Sequence, residues 1–178
     1  AKASEYSFLQ IFDSLTTDFA NFNLTTGAVA TVDQYTATIE NVGNGWYRCT
    51  ATKTNPSGNF NFRYGIVTNG AAARGESFTG NGVNGLFIWG AQIVEGSVAK
   101  DYQKTETRLN IPRLDYSNGT CPSLLVEPQR TNLLTYSSSF DNAAWAKVGG
   151  VTATANTTTS PSGVQDADTI NFSASSQE

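Results

Sequence analysis

Tyr35-Thr-Ala-Thr-Ile-Glu-Asn-Val-Gly-Asn-Gly-Trp-Tyr-Arg-Cys-Thr-Ala-Thr52 is the stretch on which the fold class turns. Its flanks, Tyr35 to Ile39 and Trp46 to Thr52, are rich in β-branched and aromatic residues and read as strands. Between them, Asn44-Gly45 supplies the positive φ angles that a tight type I′ hairpin demands. The same pattern continues on both sides. Tyr6 to Phe12 reads as a strand with Phe8 and Phe12 on one face, Leu9 and Ile11 on the other, and both faces covered. Phe19 to Leu24, the turn Thr25-Thr-Gly27 and the return Ala28 to Val32 make a second hairpin.

Toward the C-terminus, Phe60, Phe62, Tyr64 and Ile66 alternate with Asn61, Arg63 and Gly65, the period of a strand with one buried and one polar face. Thr68 to Gly85 reads as a Gly- and Asn-rich loop, too polar to pack and of a length common in binding loops. Gly85 to Val94 is apolar on both faces, which predicts a central strand. Leu133 to Tyr136, Val148 to Asn156 and Ala167 to Phe172 restart strand chemistry, and Ser139 to Trp145 is either one helical turn or a loop anchored by Phe140 and Trp145. Trp46 and Trp89 read as core, and Trp145 as a plug at one end. The expectation is an all-β chain of antiparallel sheets.

Composition narrows the function. Charged residues are 15% of the 178, and Thr, Asn, Ser and Gly are abundant, a profile of extracellular or virion-surface β-proteins. A net charge of −4 with no Lys/Arg cluster argues against a nucleic-acid partner. No apolar run reaches membrane-spanning length, so membrane insertion is not expected. The chain has no Met and opens Ala1-Lys2-Ala3, which suggests a product that was processed, cut from a longer chain or only partly determined. It also has no His, which removes His-based triads and the commonest metal ligand. Two cysteines cannot build a structural zinc site. Cys49 and Cys121 could form a disulfide, although Cys49 equally suits a small buried strand position. Asp115, Glu127, Asp166 and Asp168 are the carboxylates open to glycosidase chemistry, and nothing in their spacing fixes a pair. The expectation is no catalysis, no cofactor and no metal. Pro112, Pro122 and Pro128 each remove a donor and fix φ, so residues 106–128 read as an extended connector.

Ile39-Glu-Asn-Val-Gly-Asn-Gly-Trp-Tyr-Arg-Cys49, Leu86-Phe-Ile-Trp-Gly-Ala-Gln-Ile-Val-Glu-Gly-Ser97, Leu125-Val-Glu-Pro-Gln-Arg-Thr-Asn-Leu-Leu-Thr-Tyr136 and Phe140-Asp-Asn-Ala-Ala-Trp145 together span most of the chain. In combination they resemble the jelly-roll, carbohydrate-binding-like modules of bacteriophage tail fibres and related virion appendages. In that family the Glu-Pro-Gln-Arg segment tends to open a module and the Trp-Gly-Ala-Gln segment to close one, whereas here the order is reversed. The resemblance therefore implies that residues 1–105 are the later part of one jelly-roll module and residues 129–178 the opening part of another. The second part would complete the first either in the same chain or in a neighbouring copy, the latter giving a head-to-tail fibre subunit by strand complementation. Calcium is often structural in related jelly rolls, but the closing strand here carries Gly90-Ala91-Gln92 in place of an acidic ligand.

The function implied is a structural, glycan-contacting module on a virion appendage or in the extracellular space. Its partners would be a bacterial surface polysaccharide and other copies or adjacent modules of the same fibre. A polysaccharide-degrading accessory domain is the enzymatic alternative. Sugar contact requires aromatic faces flanked by polar side chains, and Arg63, Tyr64, Asn61, Arg74, Asn81 and Asn84 are the candidates.

Overall fold

The structure is a computed structural model, which describes residues 1–54, 61–104, 132–148 and 150–172, with 114–115 and 123–124 as backbone. Among these residues every regular element is a strand: β1 (Phe8–Asp13), β2 (Phe19–Asn23), β3 (Ala28–Asp33), β4 (Thr36–Gly43), β5 (Trp46–Thr52), β6 (Phe62–Ile66), β7 (Gly85–Ile88), β8 (Leu114–Asp115), β9 (Ser123–Leu124), β10 (Val151–Thr158) and β11 (Ala167–Phe172). All ladders are antiparallel, as the sequence predicts. Most of the proline-rich connector, including Pro112, Cys121, Pro122, Glu127 and Pro128, lies outside the described residues.

One sheet has the order β3-β2-β1-β6. The other joins β10-β11-β7 to β4-β5 through the N-terminal segment, because Lys2 bridges Trp46 on one side and Phe87 on the other. Lys2 and Phe87 exchange both backbone hydrogen bonds at 2.9 Å, and the Tyr47 N–H donates to the Ala1 carbonyl at 2.8 Å. Leu9, Phe22 and Ile66 of the first sheet pack in one cluster with Leu86, Ile88, Ile170 and Phe172 of the second, closed by Phe140. Two antiparallel layers thus share a single apolar interior, the arrangement a β-sandwich requires.

Local chemistry explains the element ends. Asn44 and Gly45 have φ of 53° and 78°, the two positive angles that turn β4 back into β5. The expected central strand Gly85 to Val94 is shorter than the apolar run, because Gly90 takes φ of 66° and breaks the ladder soon after Ile88. At the other end of β7, a Cβ on Gly85 would run into the Ile170 carbonyl oxygen, so only glycine lets β11 lie this close. Trp46 is buried at 2% exposure, but not in the inter-sheet core. It shares a strand face with Arg48, and its indole N–H donates to the Thr159 carbonyl at 3.1 Å, so the segment after β10 folds over it. Trp89 also lies outside the core cluster, half-buried with its ring centre 4.4 Å from that of Tyr102. Periodicity alone does not say which covered face is the core.

The loop after β6 corrects the reading that it is too polar to pack. Gln10 of β1 and Asn21 of β2 are cross-strand partners on the face opposite Leu9 and Phe22, and both are 0% exposed. Gln10 donates to the Asn21 side chain at 2.7 Å and to the Ala73 carbonyl at 3.0 Å, while its own oxygen accepts the Gly75 N–H at 2.7 Å. Asn21 donates to the carbonyls of Gly70 at 3.1 Å and Ala72 at 2.8 Å. Residues 70–75 are therefore a lid on the outer face of the sheet, held by four side-chain hydrogen bonds from an amide pair that is itself bonded, rather than by apolar burial. Replacing Asn21 by Ala takes the side-chain partner from the Ala72 carbonyl and from one N–H of the Gln10 amide, while the Gly70 carbonyl keeps the Thr31 N–H; each buried orphan costs about 1–3 kcal/mol, although relaxation recovers part of the sum. Urea unfolding of Asn21→Ala is expected to show a loss of about 2–4 kcal/mol. Hydrogen exchange should accelerate first at Gly75; unchanged exchange there would show that the amide pair does not hold the loop.

Candidate functional site

Directly opposed residues of an antiparallel pair share a sheet face. In the first sheet Arg63 of β6 opposes Phe12 of β1, Phe12 opposes Phe19 of β2, and Phe19 opposes Asp33 of β3. Arg63, Phe12, Phe19 and Asp33 therefore form a row across four strands, on the same outer face as Gln10 and Asn21. Arg74, carried by the lid, sets its guanidinium carbon 5.9 Å from the centre of the Phe12 ring. Phe12 is buried beneath it, whereas Arg63, Phe19 and Asp33 are half-buried and Arg74 is exposed.

This geometry gathers some of the predicted residues and separates others. Arg63 and Arg74 converge on Phe12, and Asn61, exposed two residues before Arg63, ties its backbone N–H to Asp13 at 3.3 Å. Tyr64 points the opposite way, into the sandwich, where its ring packs edge-on against Phe140 at 5.6 Å and Trp145 at 5.8 Å. Burial pushes its hydroxyl well above the ordinary tyrosine range. Asn81 and Asn84 lie at the other end of β1: the Asn81 side chain accepts the N–H groups of Val83 and Asn84, and the Gly82 N–H donates to the Phe172 carbonyl at 2.7 Å. Phe12, Phe19 and Asp33 were not among the predicted residues. Their signal is cross-strand register, which appears only once the pairing partners of each strand are known.

Ion pairing finishes that end of the sheet. Lys53, just past β5, binds Asp13 at 3.3 Å and also Asp18, and donates to the Thr16 hydroxyl at 3.2 Å. Asp13 is 1% exposed, and its other oxygen accepts the N–H groups of Leu15 and Asn61. The Lys53 hydrogen bond holds the Asp18 carboxyl below its usual range, and Asp18 in turn raises the Lys53 ammonium.

A second polar centre joins the late segments to the second sheet. Asn132 is 1% exposed and donates to the carbonyls of Ala91 and Gln103, both at 3.2 Å. Its oxygen accepts the N–H groups of Ile93 at 3.3 Å and Leu134 at 3.1 Å. Gln92 reaches the Lys100 and Asp101 carbonyls and accepts the Gln103 N–H at 2.8 Å. Nearby, a cleft of about 360 Å³ is lined by Tyr136, Ser139, Asp141, Asn142, Asn156 and Asp168 among others. Asp168 is buried; one oxygen accepts the Phe140 N–H at 2.6 Å and the other the Asn156 N–H at 2.9 Å. Desolvation raises its carboxyl above the ordinary aspartate range. Both oxygens thus fix the Ser139 to Trp145 turns onto β10, and the side chain acts as a clamp. Among the described residues no three of His, Cys, Asp and Glu cluster as metal ligands. Cys49 faces the core from β5, where burial pushes its thiol up to about 11. Its expected partner, Cys121, lies outside the described residues.

Comparison of the chain with protein-family models, with curated proteins and with solved structures returns no match.

The sign of the pH dependence at Lys53 follows from these shifts. Asp18, with its folded pKa lowered, adds stability above about pH 4 that is lost as pH falls. Lys53, with its folded pKa raised, adds stability below about pH 10 that is lost as pH rises. Lys53→Met is expected to lower stability near pH 7 by about 1–3 kcal/mol, between the exposed and buried limits for ion pairs, and to flatten both limbs. Urea midpoints from about pH 3 to about pH 11.5 would measure this, and limbs as steep as the parent's would place the titrating groups elsewhere. Cys49 in the folded protein is expected to resist iodoacetamide at pH 8 and to label fully in urea; peptide mass mapping reads the site, and rapid native labelling would contradict its burial.

Proposed function

We infer that the chain is a non-catalytic jelly-roll module of a bacteriophage tail fibre or similar virion appendage, which bears structure and contacts glycan on the bacterial surface. The observation that carries this reading is the Asn132 stitch. It lays the Trp89-Gly-Ala-Gln92 segment beside the Asn132-Leu-Leu-Thr-Tyr136 segment, the two that close and open modules in the resembling family. The non-catalytic part is supported by the way the buried acids are used. Asp13 and Asp168 spend their oxygens on backbone N–H groups and Lys53, an arrangement suited to holding loops rather than moving protons.

Saturable binding of the purified chain to bacterial surface polysaccharides, with no release of reducing ends, is the expected result. Turnover of any polysaccharide would place the chain among the degrading enzymes, and failure to retain any of a broad panel would remove the glycan contact.

A second reading, assembly by strand complementation, is favoured by one feature of the second sheet. β10 stands at the end of the order β10-β11-β7 and carries no charge along Val151–Thr158, the kind of edge that recruits another strand. In that reading β10 and β11 of one copy occupy the slot beside β7 of the next. Light scattering after gel filtration distinguishes the two: a species of 19.0 kDa means closure within one chain. Regular polymers that vanish on deletion of residues 129–178 mean exchange between chains.

A further inference from the structure

Resting on the glycan-contacting reading, the geometry points to the cleft between residues 136–142 and β10 as a subsite for an uncharged, hydroxyl-rich sugar. Its volume of about 360 Å³ falls in the lower part of the range of small-ligand sites, about 300–1,000 Å³. Five side chains bring polar heads to the lining: the hydroxyls of Tyr136 and Ser139, the carboxylate of Asp141 and the amides of Asn142 and Asn156. Among the described residues none of these heads has a protein partner, save the Asn142 oxygen, which accepts the Ala144 N–H at 2.9 Å. That exception bears on the charge of the ligand. With its oxygen engaged, Asn142 offers its NH2, a donor that disfavours a cation. Both Asp168 oxygens are taken by N–H groups, so Asp141 is the one free carboxylate in the described lining, too few for a hard cation. An anion fares no better. No Lys or Arg among the described residues lines the cleft, and the nearby Lys147 ammonium donates to the carbonyls of Asp141, Asn142 and Trp145. Set against Asp141 and Asp168, that single cation leaves no positive surplus to draw an acidic sugar. A sugar hydroxyl both donates and accepts, so a vicinal pair can give protons to Asp141 and take them from Asn142. Tyr136 adds the one aromatic ring of the described lining, a surface suited to the C–H face of a pyranose.

The walls are fixed before any ligand arrives. Phe140 and Asn156 donate their N–H groups to the two oxygens of the buried Asp168, at 2.6 and 2.9 Å, which ties the turns to β10. The Asn156 carbonyl accepts the Gln165 amide at 2.9 Å, so the backbone of Asn156 is held while its side chain stays free. Four non-glycine residues among those described have positive φ. Gln34 and Asn44 lie in connections between strands; Tyr136 at 52° and Asn156 at 55° both line this cleft. The angle is uncommon for a tyrosine, and Asn156 marks the irregularity in the β10–β11 ladder between Thr154 and Thr158. Strained residues and bulges gather where a side chain has to be aimed.

The test uses an array of neutral hexose oligosaccharides, each printed beside the form whose terminal hydroxymethyl group is oxidised to a carboxylate. It is probed with the parent chain, Asp141→Asn, Asn156→Gly and Arg74→Gln. The neutral forms are expected to bind at least about fivefold better, the scale of one unit-charge repulsion at contact distance in water, and Asp141→Asn to bring the two forms level. Asn156→Gly keeps the positive φ but removes the amide, and should weaken both forms alike; Arg74→Gln, on the other sheet, should change neither. Asp141 and Asn156 are exposed, and thermal unfolding of their variants at the parent temperature excludes a folding defect. Equal binding of neutral and oxidised forms overturns the uncharged-sugar subsite but leaves the glycan reading standing. Binding that survives both cleft variants, or falls only in Arg74→Gln, places the contact elsewhere and also overturns the inference. Binding abolished by EDTA assigns Asp141 to a metal, with the same result. No binding to any glycan removes both.

Discussion

Burial of the apolar face of β7 is the constraint on which the rest of the structure depends. Leu86 and Ile88 are almost fully buried, and the strand carrying them is only four residues long. Such a strand needs neighbours on both sides, because its backbone groups and side chains are both withdrawn from water. One neighbour is the N-terminal segment through Lys2; the other is β11, which comes more than seventy residues later and is admitted by the missing side chain at Gly85. Ile170 and Phe172 then supply the interior that residues 1–104 leave unfilled, and Phe140 seals it. Early and late parts of the chain consequently form one folding unit, with the cost of closing a long loop set against a sheet ladder and a shared core.

Polar side chains organise what the core cannot reach. Gln10 with Asn21, Asn132, and Asp168 are buried groups whose hydrogen-bonding capacity is directed at loop backbone. Each turns an irregular segment into a fixed one at a place where apolar packing is absent. The arrangement carries a vulnerability: a buried amide that loses its loop costs more than the hydrogen bond it once made. Loops held in this way are rigid enough to position side chains, and Arg74 is the clearest case, because both of its neighbours are bonded to Gln10.

Strand chemistry was legible in the sequence wherever it was periodic. The Asn44-Gly45 hairpin, the β2–β3 hairpin and the alternation through Phe62, Tyr64 and Ile66 follow from side-chain preference and turn geometry, which are local. Three things were not local. Trp46 and Trp89 lie in apolar patterns, yet they are covered by the segments near Thr159 and Tyr102 rather than by the facing sheet, and a pattern cannot name its cover. The loop at 70–75 looked too polar to pack because its carbonyls have no partner in its own sequence; the partners are amides on β1 and β2. Tyr64 and Arg63 are adjacent in the sequence and suit one sugar site there, but adjacent residues of a strand stand on opposite faces, and of the two only Arg63 is on the outer one.

The candidate site shows why register carries more information here than spacing. Phe12 and Phe19 are separated by a turn held closed by Asp13, Asp18 and Lys53, and that closure sets them opposite one another. Slipping β2 by one residue would turn Phe19 toward the interior and Ala20 outward, which the packing of Ala20 and Phe22 against Leu9 forbids. The same slip would carry Asn21 away from the lid and release Arg74. Core packing, the ion triad and the amide clamp therefore all select one register, and the outer row is its consequence. A surface assembled in this way resists drift, because moving any residue of the row out of place requires breaking the buried face behind it.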